Sequence, residues 1–156
     1  MDFIKHFFTN WDTVQNVMLK LIREIPADKL DFKPAEKSFT LRELVHHIYG
    51  AENLFVRLLA EKDEITMEDF RQRNSMAEDF KTVDDLYEYA KKTHENTMSI
   101  LKDRPSDFLL REIKTPFGTD HMIFHLNFVL SHLLHHRGQL YIYLRMCGVE
   151  KNLPMR

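Results

Sequence analysis

Apolar residues recur every three or four positions along most of this chain, and that spacing predicts helices. Over residues 2–24, Phe3, Phe7, Trp11, Val14, Met18, Leu21 and Ile22 share one broad aromatic face, and Pro26 helps to end the segment. The connection to Ser38 carries Pro34 and is expected to be irregular. Thr40-Leu-Arg-Glu43 has the spacing of a capping box. It predicts a second helix to about Glu61, with Leu44, Ile48, Ala51, Phe55, Leu58 and Leu59 on its apolar face. Residues 62–81 are charged and weakly periodic, which predicts a long loop with a short helix around 67–73. Thr82 and Asp85 cap a third helix to about Leu101, its inner side marked by Val83, Leu86, Ala90, Thr97 and Ile100. Another connection starts at Arg104-Pro-Ser, residues 109–116 suit a short extended segment, and Phe117-Gly118 marks a turn. Thr119 or Asp120 is expected to cap the last helix, which ends near Cys147 with Gly148 just beyond. Four long helical segments and no strand-rich region predict an all-α, antiparallel four-helix bundle, one domain over residues 1–156.

Composition narrows the function classes. The chain is 44% hydrophobic and 29% charged, as a globular domain should be. Its net charge is −2 and no basic tract stands out, so no nucleic-acid partner is expected. No run of 18 apolar residues occurs and the first residues lack a signal-peptide pattern, so neither membrane insertion nor export is expected. The single cysteine, Cys147, suits a reducing compartment, and a cytoplasmic location is the expectation.

The chain has nine histidines. His132 and His136 stand four apart on the last helix, which places their Cβ atoms about 5–6 Å apart on one face. His121 and His125 share that spacing and that sector of the helix, but the axis rises ~10 Å between His125 and His132, so one ion cannot take both pairs. His47 lies on the inward face of the second helix and is the third candidate ligand. Three neutral imidazoles leave a coordination position for water or substrate, the pattern of catalytic zinc. Zinc, nickel, iron and manganese are not distinguished by such a set. Histidines on an apolar face also occur simply as hydrogen-bonded core residues, and that plain reading stays open.

Gln139 lies on the same stripe one turn beyond His136, placed to bond a ligand, a thiol or a water. His46 and His135 neighbour the chosen rings, His6 and His94 suit the surface, and Gly138 suits a close helix approach. A di-iron carboxylate bundle fits poorly. Glu43-Leu-Val-His46 supplies one Glu-x-x-His motif, no second exists, and no Asp or Glu lies between His121 and Val149. A Ser-His-Asp triad is unsupported, since Ser131 and His132 point about 100° apart.

Leu44-Val-His-His47-Ile48, Thr115-Pro-Phe-Gly118, His132-x-x-x-His136-Arg-Gly-Gln139 and Leu144-Arg145-x-x-Gly148 together resemble the DinB/YfiT-like superfamily, in order and spacing over the whole chain. The resemblance implies a four-helix bundle of unusual connection topology, a divalent metal on His47, His132 and His136, and a homodimer. It also implies a reaction class. Characterised relatives include transferases and isomerases that use low-molecular-weight thiols. The expectation is therefore a metal-dependent S-transferase acting on a small-molecule substrate with a bacillithiol-like thiol, Gln139 being the candidate catalytic side chain. The alternatives are a metal-dependent hydrolase, for which Glu52 is a speculative base, and a non-enzymatic metal-binding stress-response module.

Overall fold

The computed structural model describes residues 3–71, 75–102, 104–150 and 153–154. Its helices are α1 (Phe3–Arg23), α2 (Leu41–Glu61), α3 (Val83–Leu101), the short α4 (Ser106–Leu110) and α5 (Met122–Met146). A hairpin of β1 (Glu112–Thr115) and β2 (Gly118–His121) precedes α5. The four long helices form the bundle. α1 and α2 each pack between α3 and α5, so the first two helices face one another across the diagonal rather than as neighbours.

Local chemistry sets the helix starts. Thr40 Oγ1 accepts the Glu43 amide at 3.1 Å while Glu43 Oε2 accepts the Thr40 amide at 2.7 Å. Thr82 and Asp85 repeat the exchange at 3.1 and 2.8 Å. Each box satisfies two amides that a helix start otherwise leaves without partners. At the other end of α5, Gly148 takes a φ of 85°, Gly148 N–H reaches the Arg145 carbonyl and Val149 N–H reaches that of Leu144. This is the Schellman arrangement, and a left-handed φ is what makes glycine the suitable residue there.

The core is built from Trp11, Met18, Leu21 and Ile22 of α1, Leu41, Leu44, Val45, Ile48 and Leu59 of α2, Leu86, Ala90 and Leu101 of α3, and Leu126, Leu133, Leu140 and Leu144 of α5. Phe3, Ala51 and Phe55, expected in the core, are not among its buried residues. Phe3 is 69% exposed, and Ala51 and Phe55 are only half-buried, because their side of α2 borders a cavity.

The stretch after α2 is held in place. Asp69 gathers the 62–71 stretch: it takes Lys62 Nζ, the Thr66 amide at 2.8 Å and the Thr66 hydroxyl at 2.9 Å. Those donors hold its carboxyl down at about 2. Ile65 N–H reaches the Lys114 carbonyl and Lys114 N–H that of Asp63, so this stretch runs beside β1. Within the expected short helix, a single 3-10 turn forms at Asp69–Arg71, and positions 72–73 lie outside the described residues. The hairpin corrects the expected start of the last helix. Thr119 and Asp120 pair with Lys114 and Ile113 in β2, and His121 occupies the N-cap position of α5 without a side-chain cap bond.

One polar cluster crosses the diagonal. Gln15 Nε2 donates to Glu52 Oε2 at 2.6 Å, and the Tyr49 hydroxyl donates to Gln15 Oε1 at 2.8 Å. His94 of α3 joins it, with Nε2 2.8 Å from Asp12 Oδ1 and Nδ1 3.7 Å from Glu52 Oε1. Burial lowers the His94 pKa, but the nearby Glu52 carboxylate and the hydrogen bond to Asp12 outweigh it, and the ring ends above its ordinary value. A raised histidine stabilises the fold in full below its unfolded pKa, ~6.5, and loses that contribution as pH rises through the folded value. His94→Gln should therefore cost about 1–2 kcal/mol at pH ~6 and much less at pH ~9. Urea melts of both proteins at the two pH values check this, and an equal difference at both would refute it.

Candidate metal centre

His47 stands on α2 between the buried Leu44 and Ile48, on the edge of the helix turned toward α5. His132 and His136 stand one turn apart on α5, flanked by the buried Val129, Leu133 and Leu140. The packing of these two helices brings the three rings together. His132 Nε2 lies 3.1 Å from His47 Nε2 and 3.1 Å from His136 Nε2. One ligand atom from each ring lies within 4.8 Å of the other two.

The donor set fits a metal. Two nitrogens each ~2.0–2.1 Å from one zinc stand about 3.3 Å apart at a tetrahedral angle and about 2.9 Å apart at a right angle. The separations from His132 to His47 and to His136, 3.1 Å each, fall between those values. The tautomer of His136 is also right. Its Nδ1–H donates to Gln139 Oε1 at 2.7 Å, which leaves the lone pair on Nε2, the atom that faces His132. A ligating histidine commonly has such an outer partner, which fixes both ring angle and protonation. Gln139 is fixed in turn: its Nε2 is 3.1 Å from His135 Nε2 and donates to it.

Two cavities adjoin the rings. The larger, about 470 Å³, is lined by Phe39, His46, His47, Gly50, Ala51, Asn53, Leu54, Phe55, Met67, Phe70, Ser75, Tyr89 and Phe117. The smaller, about 220 Å³, shares His47, Ala51, Phe55 and Phe117 and reaches His132. Phe39 stacks on the His47 ring with centroids 5.0 Å apart. Phe55 and Phe70 meet at 4.7 Å, and Phe70 meets Phe117 of the hairpin tip at 5.8 Å. No Asp, Glu, Lys or Arg is among the described residues lining either cavity.

The family model described as "DinB family" matches residues 1–153. The chain belongs to the DinB family. It is 30% identical to the protein YjoA of Bacillus subtilis (strain 168) over 150 residues, covering 93% of this chain and 88% of that protein. The crystal structure of YjoA superposes with a TM-score of 0.76 at 28% identity, covering 94% of each chain. A DinB-like protein from Bacillus cereus superposes with a TM-score of 0.77 at 18% identity, over 97% of this chain and 96% of that one. YfiT from Bacillus subtilis, described as a probable metal-dependent hydrolase with an unusual four-helix bundle topology, has a TM-score of 0.64 at 14% identity, over 88% and 87% of the two chains. At that identity the likeness to YfiT is one of fold.

In this DinB bundle the other histidines serve elsewhere. His121 is exposed at the end of β2 and stacks on Phe124, while His125 Nε2 donates to the Ile113 carbonyl at 3.1 Å. The rival pair is thus split between a strand and a helix, and one of its rings ties α5 to β1. His135 is exposed and His46 faces the larger cavity. His94, expected at the surface, is instead the partly buried member of the diagonal cluster. Glu43 of the Glu-x-x-His motif is committed to the Thr40 cap. Glu52 is 2% exposed and bonded to Gln15, away from both cavities. Gly138 is exposed, and a Cβ there would have nothing within 4 Å, so no close helix approach within this chain explains it. Phe39, Ser75, Tyr89 and Phe117 were not legible as site residues, because they come from connections and from α3 with no periodic signal.

Electrostatics keeps the rings ready to ligate. Burial, then the neighbouring His136, His47 and His135, push the His132 pKa down to about 4. Burial also lowers His136, opposed by its bond to Gln139. The unfolded chain protonates such a ring near ~6.5. Folding is therefore unaffected by His132 above that pH and is penalised progressively as pH falls from there to about 4. In chelator-treated protein, an NMR titration should show the His132 ring neutral at pH ~5.5, where a model histidine is mostly protonated. A midpoint near the model value would refute this account.

Proposed function

We propose that this chain is a metal-dependent enzyme that transfers a low-molecular-weight thiol, of the bacillithiol kind, to a small electrophile. His47, His132 and His136 would hold the divalent cation, and Gln139 would keep His136 in its ligating tautomer. When bound, the cation supplies a Lewis acid that favours thiolate over thiol, or activates water.

One observation favours transfer over hydrolysis: no carboxylate is among the described residues lining the cavities. Hydrolysis by activated water needs a group beside the metal to take the proton, and Glu52 is turned to Gln15. A thiol starts from a pKa near ~8.5 and gives its proton to solvent far more readily than water does. In the transfer, the thiolate sulfur forms a bond to the electrophilic carbon, the leaving group departs with the bonding pair, and the thiol proton passes to bulk solvent. His47 lines both cavities, so an electrophile held between Phe55, Phe70 and Phe117 would lie beside the ligand rings.

The test is conjugation of monochlorobimane with cysteine, glutathione, coenzyme A or bacillithiol, using zinc- or nickel-loaded protein against chelator-treated protein. Metal loading should raise the rate at least ~10-fold, and His136→Ala should lose both the metal, by elemental analysis, and the rate, while His6→Ala keeps both. Equal rates with and without metal would sink the reading. Metal-dependent cleavage of p-nitrophenyl acetate without conjugation would replace it with the hydrolase reading, for which the description of YfiT is the support.

We also propose a homodimer through the outer side of α5. Phe124, Phe128, Ser131, His135, Gly138, Ile142 and Met146 form one exposed stripe, and four of these seven are large apolar residues more than half exposed. A stripe of that kind marks an association surface. Ile142→Glu should convert a dimer to monomer in sedimentation velocity without changing the circular dichroism spectrum, and a monomeric wild type would refute the proposal.

A further inference from the structure

The larger cavity has a polar end that the metal reading does not use. His46 Nε2 lies 3.0 Å from Ser75 Oγ, and Ser75 is hydrogen-bonded to the Tyr89 hydroxyl as well. The Tyr89 ring stacks on His46 with centroids 5.9 Å apart and planes 21° apart. The three side chains come from α2, α3 and the pinned connection between them, and all three line the cavity. Gly50 lines this end beside Tyr89, where a Cβ would be in ordinary contact with Tyr89 Oη at 3.6 Å and a larger side chain would reach into the cavity. Toward His47 the walls are Phe39, Leu54, Phe55, Met67, Phe70 and Phe117.

These features select a ligand class. The volume is in the range of small-molecule sites, about 300–1,000 Å³. Four phenylalanine rings favour a flat apolar body through stacked and edge contacts. With no Asp, Glu, Lys or Arg among the described lining residues, an ionised group would be desolvated without a permanent counter-charge. A hydroxyl, carbonyl or amide would instead meet donors and acceptors on Ser75, Tyr89 and His46.

From this we infer that the His46–Ser75–Tyr89 cluster is a recognition subsite for the polar end of an uncharged aromatic substrate, whose other end lies toward His47. The orientation toward a reacting centre rests on the proposed function, whereas the binding itself needs no metal. Ser75 and Tyr89 are positioning residues here.

Ligand-observed NMR and calorimetry on chelator-treated protein test it, with p-propylphenol, propylbenzene and p-propylbenzoate as probes. The phenol should bind most tightly and the benzoate least. Tyr89→Phe and Ser75→Ala should each weaken the phenol about threefold to tenfold while leaving propylbenzene unchanged, the size of one neutral hydrogen bond. Gly50→Leu should abolish binding of all three. The subsite is overturned if no probe binds, if the benzoate binds as well as the phenol, or if Tyr89→Phe weakens phenol and propylbenzene alike. Probe binding with no metal-dependent conjugation would sink the transferase reading and leave the subsite standing.

Discussion

The contact between α2 and α5 decides everything else. Three imidazoles from positions 85 and 89 residues apart in sequence meet only because the two helices pack in one rotational register. That register is held by Leu44 and Ile48 on one side and Leu133 and Leu140 on the other, all buried. A shift of one residue along α5 would turn its ligands by about 100° and take both rings away from His47. The ring cluster therefore depends on core packing that surrounds it on each helix, and its geometry is as rigid as that packing. The same core excludes water from part of the cluster, and this favours the neutral form of His132 and His136.

Neutral rings need tautomers as well as positions. A histidine with its proton on the wrong nitrogen offers a metal nothing, and a buried ring cannot simply borrow a partner from solvent. Gln139 resolves this for His136, because a carbonyl oxygen can only accept and so draws the proton to Nδ1. His135 then accepts from the Gln139 amide nitrogen, which fixes which end of the amide faces which ring. A Leu at 139 would keep the helix and most of the volume yet leave the His136 proton unassigned. The role lies in orientation, one bond away from the ligand atoms.

Much of this was legible in the sequence, and the parts that were not share a cause. The capping boxes at Thr40 and Thr82, the four long segments and the i, i+4 pair of His132 and His136 are local, and local chemistry decides them. Thr119 and Asp120 looked like caps because cap residues and hairpin residues are the same polar types; pairing with Lys114 and Ile113 is what puts them in a strand. The face of α2 was read as uniformly inward, since periodicity shows which residues share a side but not what lies opposite. Leu44, Ile48 and Leu59 meet other helices, whereas Ala51 and Phe55 border space. Residues 62–81 looked like a charged loop, and the described ones, 62–71 and 75–81, hold only the 3-10 turns Asp69–Arg71 and Ala77–Asp79. The pairing of Asp63 and Ile65 with Lys114 of β1 is non-local, so Ser75 and Phe70 could not be placed at the cavity from pattern alone.

The sequence of α5 divides into three sectors of different composition. An ordinary bundle helix shows one apolar stripe and one solvated face. In α5 the inward sector, Leu126, Leu133, Leu140 and Leu144, fills the core. The next sector, His132 and His136, meets α2 and the cavities. The outward sector, Phe124, Phe128, Ile142 and Met146, carries apolar side chains where lysine and glutamate would be usual. Phe128 meets Phe55 beside the smaller cavity and Phe124 stacks on His121, but all four side chains stay more than half exposed, and such apolar surface raises the risk of indiscriminate association. A second copy of α5 laid along this sector, as proposed above, would cover these side chains on the helix that carries two of the three candidate ligand rings. Gly138, at the middle of that stripe with no side chain and no neighbour, is where two such helices could approach most closely. The α5 backbone would then be braced from both sides, by its own core and by its twin, and the ligand turn from His132 to His136 would be the braced segment.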